Sequence, residues 1–239
     1  MARLFNSPLG EIRGKVGNFI YRKVNGKIYV SSCPIKSASS KRKYDDPAAI
    51  IRKKRFALTA KLAKSINNIP DLKYLWKKTT YNKMSSGNAI IRANYPFVSD
   101  KTVVYTPRLA PEAMELNEEG IELSFDCNEI LIKYSAKTFR FPDHYYYDKF
   151  IKVVGIIHSV SPHSEHEEPF SFKSVSSCNY SLSKEEDINM SILLDESTIN
   201  ILKEYANHKL YYAFITSNED FVPQKAVATF THELKGLPE

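Results

Sequence analysis

The densest group of potentially reactive side chains is Pro162-His163-Ser164-Glu165-His166-Glu167-Glu168-Pro169, with two imidazoles and three carboxylates within six residues. Imidazole and carboxylate are zinc ligands and the usual partners in general acid–base catalysis. Prolines bracket the segment, which predicts a loop between strands. A solvated loop by itself neither fixes ligand geometry nor supplies the outer hydrogen bonds that orient ligands. The pattern therefore favours a hydrophilic loop over a metal site. No Ser/His/Asp, Cys/His or nucleotide-loop signature accompanies it, and Asp126 and Glu129 have no third group beside them to tune a proton transfer. Gly10, Gly14 and Gly17 are not spaced as a phosphate-cradling G-x-G-x-x-G loop. These observations predict a protein that is not an enzyme and needs no cofactor.

A different chemistry is concentrated in the first third of the chain. Residues 1–80 carry 19 Lys+Arg against 4 Asp+Glu, a net +15, whereas residues 81–239 carry 15 against 23, a net −8. Charge of one sign steers encounter with the opposite sign. The candidates for such contacts are Arg13, Lys15, Arg22 and Lys27 near the N-terminus, and Arg52, Lys53, Lys54, Arg55 and Lys61 further on. Tyr21, Tyr29, Tyr44 and Trp76 are interleaved with these cations, as phosphate-backbone contact with some base stacking would require. Docking on an acidic protein surface is the competing use, and the acidic second half of a neighbouring copy would supply one. Contact between unlike patches is heterologous and builds rings or filaments. Phe141-Pro142-Asp143-His144-Tyr145-Tyr146-Tyr147-Asp148 is either a tyrosine-rich recognition surface or a strand with alternate rings in the core.

The elements that position these residues are readable from spacing. Asn18 to Ser31 contains two β-prone runs around Asn25-Gly26, the preferred type I′ pair, and predicts a hairpin. Upstream, the three glycines predict an extended, kinked lead-in. Ser37 to Lys43 reads as a polar linker that gains order from a partner. Asp46-Pro47 supplies a cap and a first-turn proline, and Ile51, Leu58, Leu62 and Ile66, with Phe56 and Ala63 beside them, give an apolar helical stripe to Ile66. Ile69-Pro70-Asp71 starts a second helix ending on Lys77-Lys78, and Thr80–Ala93 a third that stops at Asn94-Tyr95-Pro96. Strands are then predicted at Thr102–Tyr105, Ile121–Phe125, Ile130–Tyr134, Phe150–Ile157, Phe170–Val175, Ile188–Leu193, Leu210–Thr216 and Ala226–Phe230, with a short helix at Ser197–Tyr205 capped by Ser197. Short strands at regular spacing predict an antiparallel, immunoglobulin-like β-sandwich.

The expected fold is thus α+β: an arm with a hairpin over 1–45, a basic helical segment over 46–98 and a β-sandwich over 99–239. Cys33, Cys127 and Cys178 are odd in number and widely spaced, which predicts reduced, mostly buried thiols. No run reaches the roughly 18 apolar residues of a membrane span, and the start has no apolar signal core, so a cytoplasmic protein, or one built into a particle in a cytoplasm, is expected.

Met1-Ala2-Arg3, Gly10-Glu11-Ile12-Arg13-Gly14-Lys15-Val16-Gly17-Asn18, Tyr21, Gly26-Lys27, Tyr29-Val30, Pro34 and Arg55-Phe56 together resemble a family of uncharacterised proteins from Bacteroidetes and their phages. The likeness is specific over about residues 8–66, and Leu210 to Ser217 resembles the family's late strand. The resemblance implies a glycine-punctuated basic N-terminus, a hairpin, a helix and a β-rich C-terminal part. It carries no activity onto any residue, and its phage association implies a virion or other particle component. The expected role is that of a non-enzymatic structural or assembly protein whose basic arm enters a neighbouring subunit, with nucleic-acid binding by the helix over 46–66 as the alternative.

Overall fold

The fold is described from a computed structural model, covering residues 2–4, 14–24, 26–33, 46–79, 84–114, 120–126, 128–135, 148–164, 168–182 and 187–234. The chain divides into two compact units, Met1–Asp46 and Pro47–Glu239.

The first unit is a four-stranded antiparallel sheet in the order β1-β4-β3-β2, with β1 at Ala2–Leu4, β2 at Gly14–Val16, β3 at Phe19–Val24 and β4 at Lys27–Ser32. Val24 pairs with Lys27 across a two-residue connection, and Gly26 has φ +75°, the left-handed conformation an Asn-Gly hairpin requires. Asn25 itself lies outside the described residues. Within the expected arm, Gly14–Val16 of the lead-in pairs with β3 as β2, and β1 adds to β4 with Ala2 opposite Val30; Gly10 to Arg13 lie outside the described residues. The polar linker at Ser37–Lys43 also lies outside the described residues.

The second unit is mixed α+β, and apart from one short parallel pair its strands are antiparallel. Its centre is a pair of 13-residue strands, β8 (Phe150–Pro162) and β12 (Tyr205–Ser217), paired along their whole length. The sequences Val153-Val154-Gly155-Ile156-Ile157 and Leu210-Tyr211-Tyr212-Ala213-Phe214-Ile215 are continuous apolar runs without alternation. Such runs are what a strand needs when both of its faces are covered. β9 (Phe170–Ser176) and the short β10 (Tyr180–Ser181) pair with the far edge of β8. On the other side β13 (Pro223–Glu233) follows β12, and β5 (Ala113–Met114) joins it in parallel.

One face of this sheet carries Val154, Ile156, Tyr211, Ala213 and Ile215 against three helices: α1 (Pro47–Asn68), α2 (Pro70–Thr79) and α3 (Ser86–Asn94). The helices meet them with Leu58, Leu62, Ile66, Trp76 and Ile90. The opposite face carries Ile151, Val153, Ile157, Leu210, Tyr212 and Phe214 against a second sheet. That sheet has the order β11-β7-β6, with β6 at Ile121–Asp126, β7 at Glu129–Tyr134 and β11 at Ile188–Leu193. Ile130, Ile132, Tyr134, Met190 and Ile192 point inward while Leu131, Lys133, Asn189 and Leu193 remain exposed, the period of two that marks a half-buried strand. α4 (Glu196–Glu204) closes this side through Leu202. The layers are therefore helices, central sheet, second sheet, and the helices share one core with the strands.

Several local expectations need correction. Thr102–Tyr105 is not a strand: Val103 makes an isolated bridge to Val98, and Ser99 Oγ accepts from the Lys101 and Thr102 N–H groups, closing a turn. α4 is capped by Asp195, whose carboxylate accepts from Thr198 N–H at 2.8 Å, while Ser197 donates to the same carboxylate. Competition for the cap is won by the charged acceptor. α3 starts from a Ser85 cap, later than its expected start at Thr80, and the chain continues through a 3-10 turn at Tyr95–Phe97. Cys178 is exposed on the link between β9 and β10, and Cys33 is half-buried.

Two polar contacts fasten the helices. Lys152 of β8 forms an ion pair with Asp71 in the first turn of α2, with only 20% and 16% of the two side chains exposed. Asn94, fully buried at the end of α3, donates to the Ile90 and Arg108 carbonyls at 3.1 and 3.0 Å and accepts from Arg108 N–H at 2.7 Å. An Asn94→Leu change overfills the site and leaves the Arg108 N–H and carbonyl without this partner, so it should cost at least about 2 kcal/mol. Urea denaturation checks this, and an unchanged midpoint would remove Asn94 from the list of fold-determining contacts.

Candidate functional site

Three of the expected interaction residues come together on the first unit. In an antiparallel pair, directly opposite residues project from the same face. Lys15 lies opposite Ile20, Arg22 opposite Tyr29 and Lys27 opposite Val24, so Lys15, Arg22 and Lys27 share a face with Ile20, Val24 and Tyr29. The other face is mainly apolar, with Val16 opposite Phe19, Tyr21 opposite Val30 and Lys23 opposite Ile28. Among the described residues from Gly14 to Cys33, none is buried. Val16, Phe19 and Val24 are each more than half exposed. Arg13 lies outside the described residues.

The charge is localised in the same way. Residues 1–46 hold ten Lys+Arg against three Asp+Glu, a net +7, and residues 47–239 hold 24 of each, a net of zero. Within the second unit, residues 47–80 hold nine against one, giving +8, and the remainder gives −8.

The basic helix separates into two parts. From Pro47 to Ala57 only Ala49 and Arg55 are even partly covered, and Ile51 and Phe56 are exposed, contrary to the expected continuous stripe. The buried face begins at Leu58 because that is where the helix reaches the central sheet. Arg52, Lys53 and Lys54 are exposed on the uncovered half. Arg55 is instead used inside the fold: its Nε and Nη2 donate to the Tyr95 carbonyl at 3.1 and 2.7 Å, and its guanidinium stacks 4.3 Å above the Tyr95 ring. Lys61 pairs with Glu168 and sits over the Phe170 ring.

The histidine- and glutamate-rich segment joins β8 to β9. Glu165, His166 and Glu167 lie outside the described residues, as does Phe141–Tyr147. His163 is exposed, and its N–H donates to the Glu204 carbonyl at 2.9 Å. Among the described residues no group of three His, Cys, Asp or Glu is arranged to hold a metal ion. No helix among them is long and apolar enough to cross a membrane.

Buried polar chemistry lies where sequence reading did not look. His158 and Ser159 occupy opposite faces of β8 within an apolar run. Ser159 Oγ lies 2.9 Å from His208 Nδ1 on the paired strand, and both residues are buried. Burial lowers the His208 pKa against the opposing effect of backbone hydrogen bonds at Tyr205 and Leu202. On the helix-facing side, His158 stacks on Phe172 at 4.6 Å, with Nδ1 3.4 Å from the Tyr211 hydroxyl. Its Nε2 is buried without a hydrogen-bond partner. Burial, reinforced by the positive charge of Lys209, holds the His158 pKa down at about 4. The Tyr211 and Tyr134 hydroxyls are pushed above the usual range by burial.

No protein-family model, curated protein or solved structure matches this chain.

Proposed function

We propose that this chain is a non-enzymatic assembly protein that attaches to neighbouring protein subunits, copies of itself among them, through its basic N-terminal sheet. The observation that carries this reading is the lack of a buried residue between Gly14 and Cys33 among those described. A small sheet needs a hydrophobic layer against one face to be stable by itself. Here Val16 and Phe19 are more than half exposed and Tyr21, Ile28 and Val30 only partly covered on the apolar face, and Lys15, Arg22 and Lys27 line the other. A docking partner would supply the missing layer, with the cations steering the approach to an acidic surface. The second unit, with its two facing sheets as a sandwich-like body, is the part so attached. A component of a large particle such as a phage virion is the setting that fits this division, with no enzymatic step required.

The test is removal of the sheet. A chain starting at Pro47 retains both apolar cores and should keep its cooperative thermal transition while no longer co-sedimenting with its assembly. If it still assembles like the intact chain, the N-terminal sheet is not the connector.

A second reading, nucleic-acid binding, rests on the uncovered half of α1 with Arg52, Lys53 and Lys54. It predicts affinity that falls linearly with log salt, with a slope of about −0.9 per phosphate contacted on duplex DNA. Reversing those three charges should then abolish a gel shift. Absence of a shift at low salt rules that reading out.

A further inference from the structure

A cleft of about 530 Å³ lies at the meeting of α2, α3 and the segment after the 3-10 turn, lined by Thr79, Met84, Ala89, Arg92, Ala93, Pro96, Phe97 and Arg108. Its size is within the range of small-molecule sites. Its lining is mostly apolar, with one aromatic ring, and the charged groups on it are two arginines of the same sign. Among the described residues, neither Arg92 nor Arg108 has an acidic partner. Arg108 is also held from behind. Both its N–H and its carbonyl are clamped by the buried Asn94 side chain, and its guanidinium stands 5.7 Å above the Phe97 ring. Arg92 is two residues before Asn94 on the same helix, and both arginines are exposed at the cleft.

We infer that this cleft binds a phosphate monoester carried on a flat apolar body. Two guanidinium groups offer forked N–H donors that match phosphate oxygens, and their combined charge balances a monoester at −1.5 to −2. Phe97, Pro96, Ala89, Ala93 and Met84 provide a wall for the apolar part, which bare phosphate would leave unused. The cleft is made entirely of second-unit residues, and the inference is independent of the N-terminal sheet.

Phenyl phosphate is the probe, titrated against the full chain by calorimetry, with inorganic phosphate and phenol as the two partial ligands. Phenyl phosphate should bind at least tenfold more tightly than either. Arg92→Ala and Arg108→Ala should each weaken it tenfold or more. Both leave the backbone groups that Asn94 holds, so an unchanged thermal transition confirms folding in the same samples. Phe97→Leu should narrow the gap between phenyl phosphate and inorganic phosphate. Equal binding of phenyl phosphate by the wild type and both arginine variants would overturn the proposal, as would equal affinity for inorganic phosphate, or no binding at millimolar concentration.

Discussion

Replacing Gly155 with valine is expected to destabilise the second unit by about 3 kcal/mol, a fall of roughly 6–12 °C in Tm for a unit of this size. Gly155 lies at the middle of β8, opposite Tyr212 of β12 and Val175 of β9. A Cβ built there would stand 2.9 Å from the Tyr211 carbonyl oxygen, 3.1 Å from Leu210 Cδ1 and 3.3 Å from Tyr212 Cβ. The nearest of these is backbone in a paired strand, which cannot move aside without breaking register. The space is also committed to aromatic packing: Tyr212 contacts Phe214 and Phe230 with ring centroids 6.0 and 5.3 Å apart, and Phe214 contacts Tyr134 at 6.1 Å. Alanine at the same position should cost less than valine, because only the first carbon must be accommodated. Thermal or urea unfolding of the two variants measures this. Wild-type stability in the valine variant would mean that β8 and β12 do not approach as closely as described.

Acid is expected to weaken the fold through His158. Its pKa is about 4 in the folded protein and near 6.5 once the chain unfolds, so protonation favours the unfolded state. The stability that depends on the neutral ring is fully present above pH 6.5 and is lost as the pH falls toward 4, about 3 kcal/mol over that interval. His208, lowered by burial as well, acts in the same direction. A His158→Phe variant retains the stacking on Phe172 but has no proton to take up. Its stability between pH 6.5 and 4 should fall by about 3 kcal/mol less than that of the wild type. Parallel pH profiles for the two proteins would assign the acid sensitivity to other groups.

What could be read from the residues was local. The Asn25-Gly26 hairpin and Ile188–Leu193 were legible because a turn preference and a period of two are written in consecutive residues. The length of β8 and β12 was underestimated, since polar residues at their ends, His158 to Pro162 and Tyr205 to Lys209, interrupt the apolar run but remain paired across the sheet. Ile51 and Phe56 satisfied helical periodicity, yet nothing in a periodicity says where the supporting sheet stops. Lys15, Arg22 and Lys27 could be nominated by charge, but their common face depends on strand register. Arg55 belonged to the same charge run and was claimed by a carbonyl 40 positions away. Gly155 and the Arg92–Arg108 cleft gave no sequence signal, and Asn94 was legible only as part of a helix stop, because each owes its role to groups brought together only by the tertiary fold.

Hydrogen–deuterium exchange across Phe19–Val24 and Lys27–Ser32, followed as the intact protein is taken from dilute monomer into its assembly, tests most directly whether the N-terminal sheet is the connector. Covering a sheet whose described residues from Gly14 to Cys33 include none that is buried should stabilise it, so exchange in these two strands should slow at least tenfold on assembly, while β8 and β12 stay equally protected throughout. Assembly that proceeds with unchanged exchange in both N-terminal strands, and new protection elsewhere, would contradict the account.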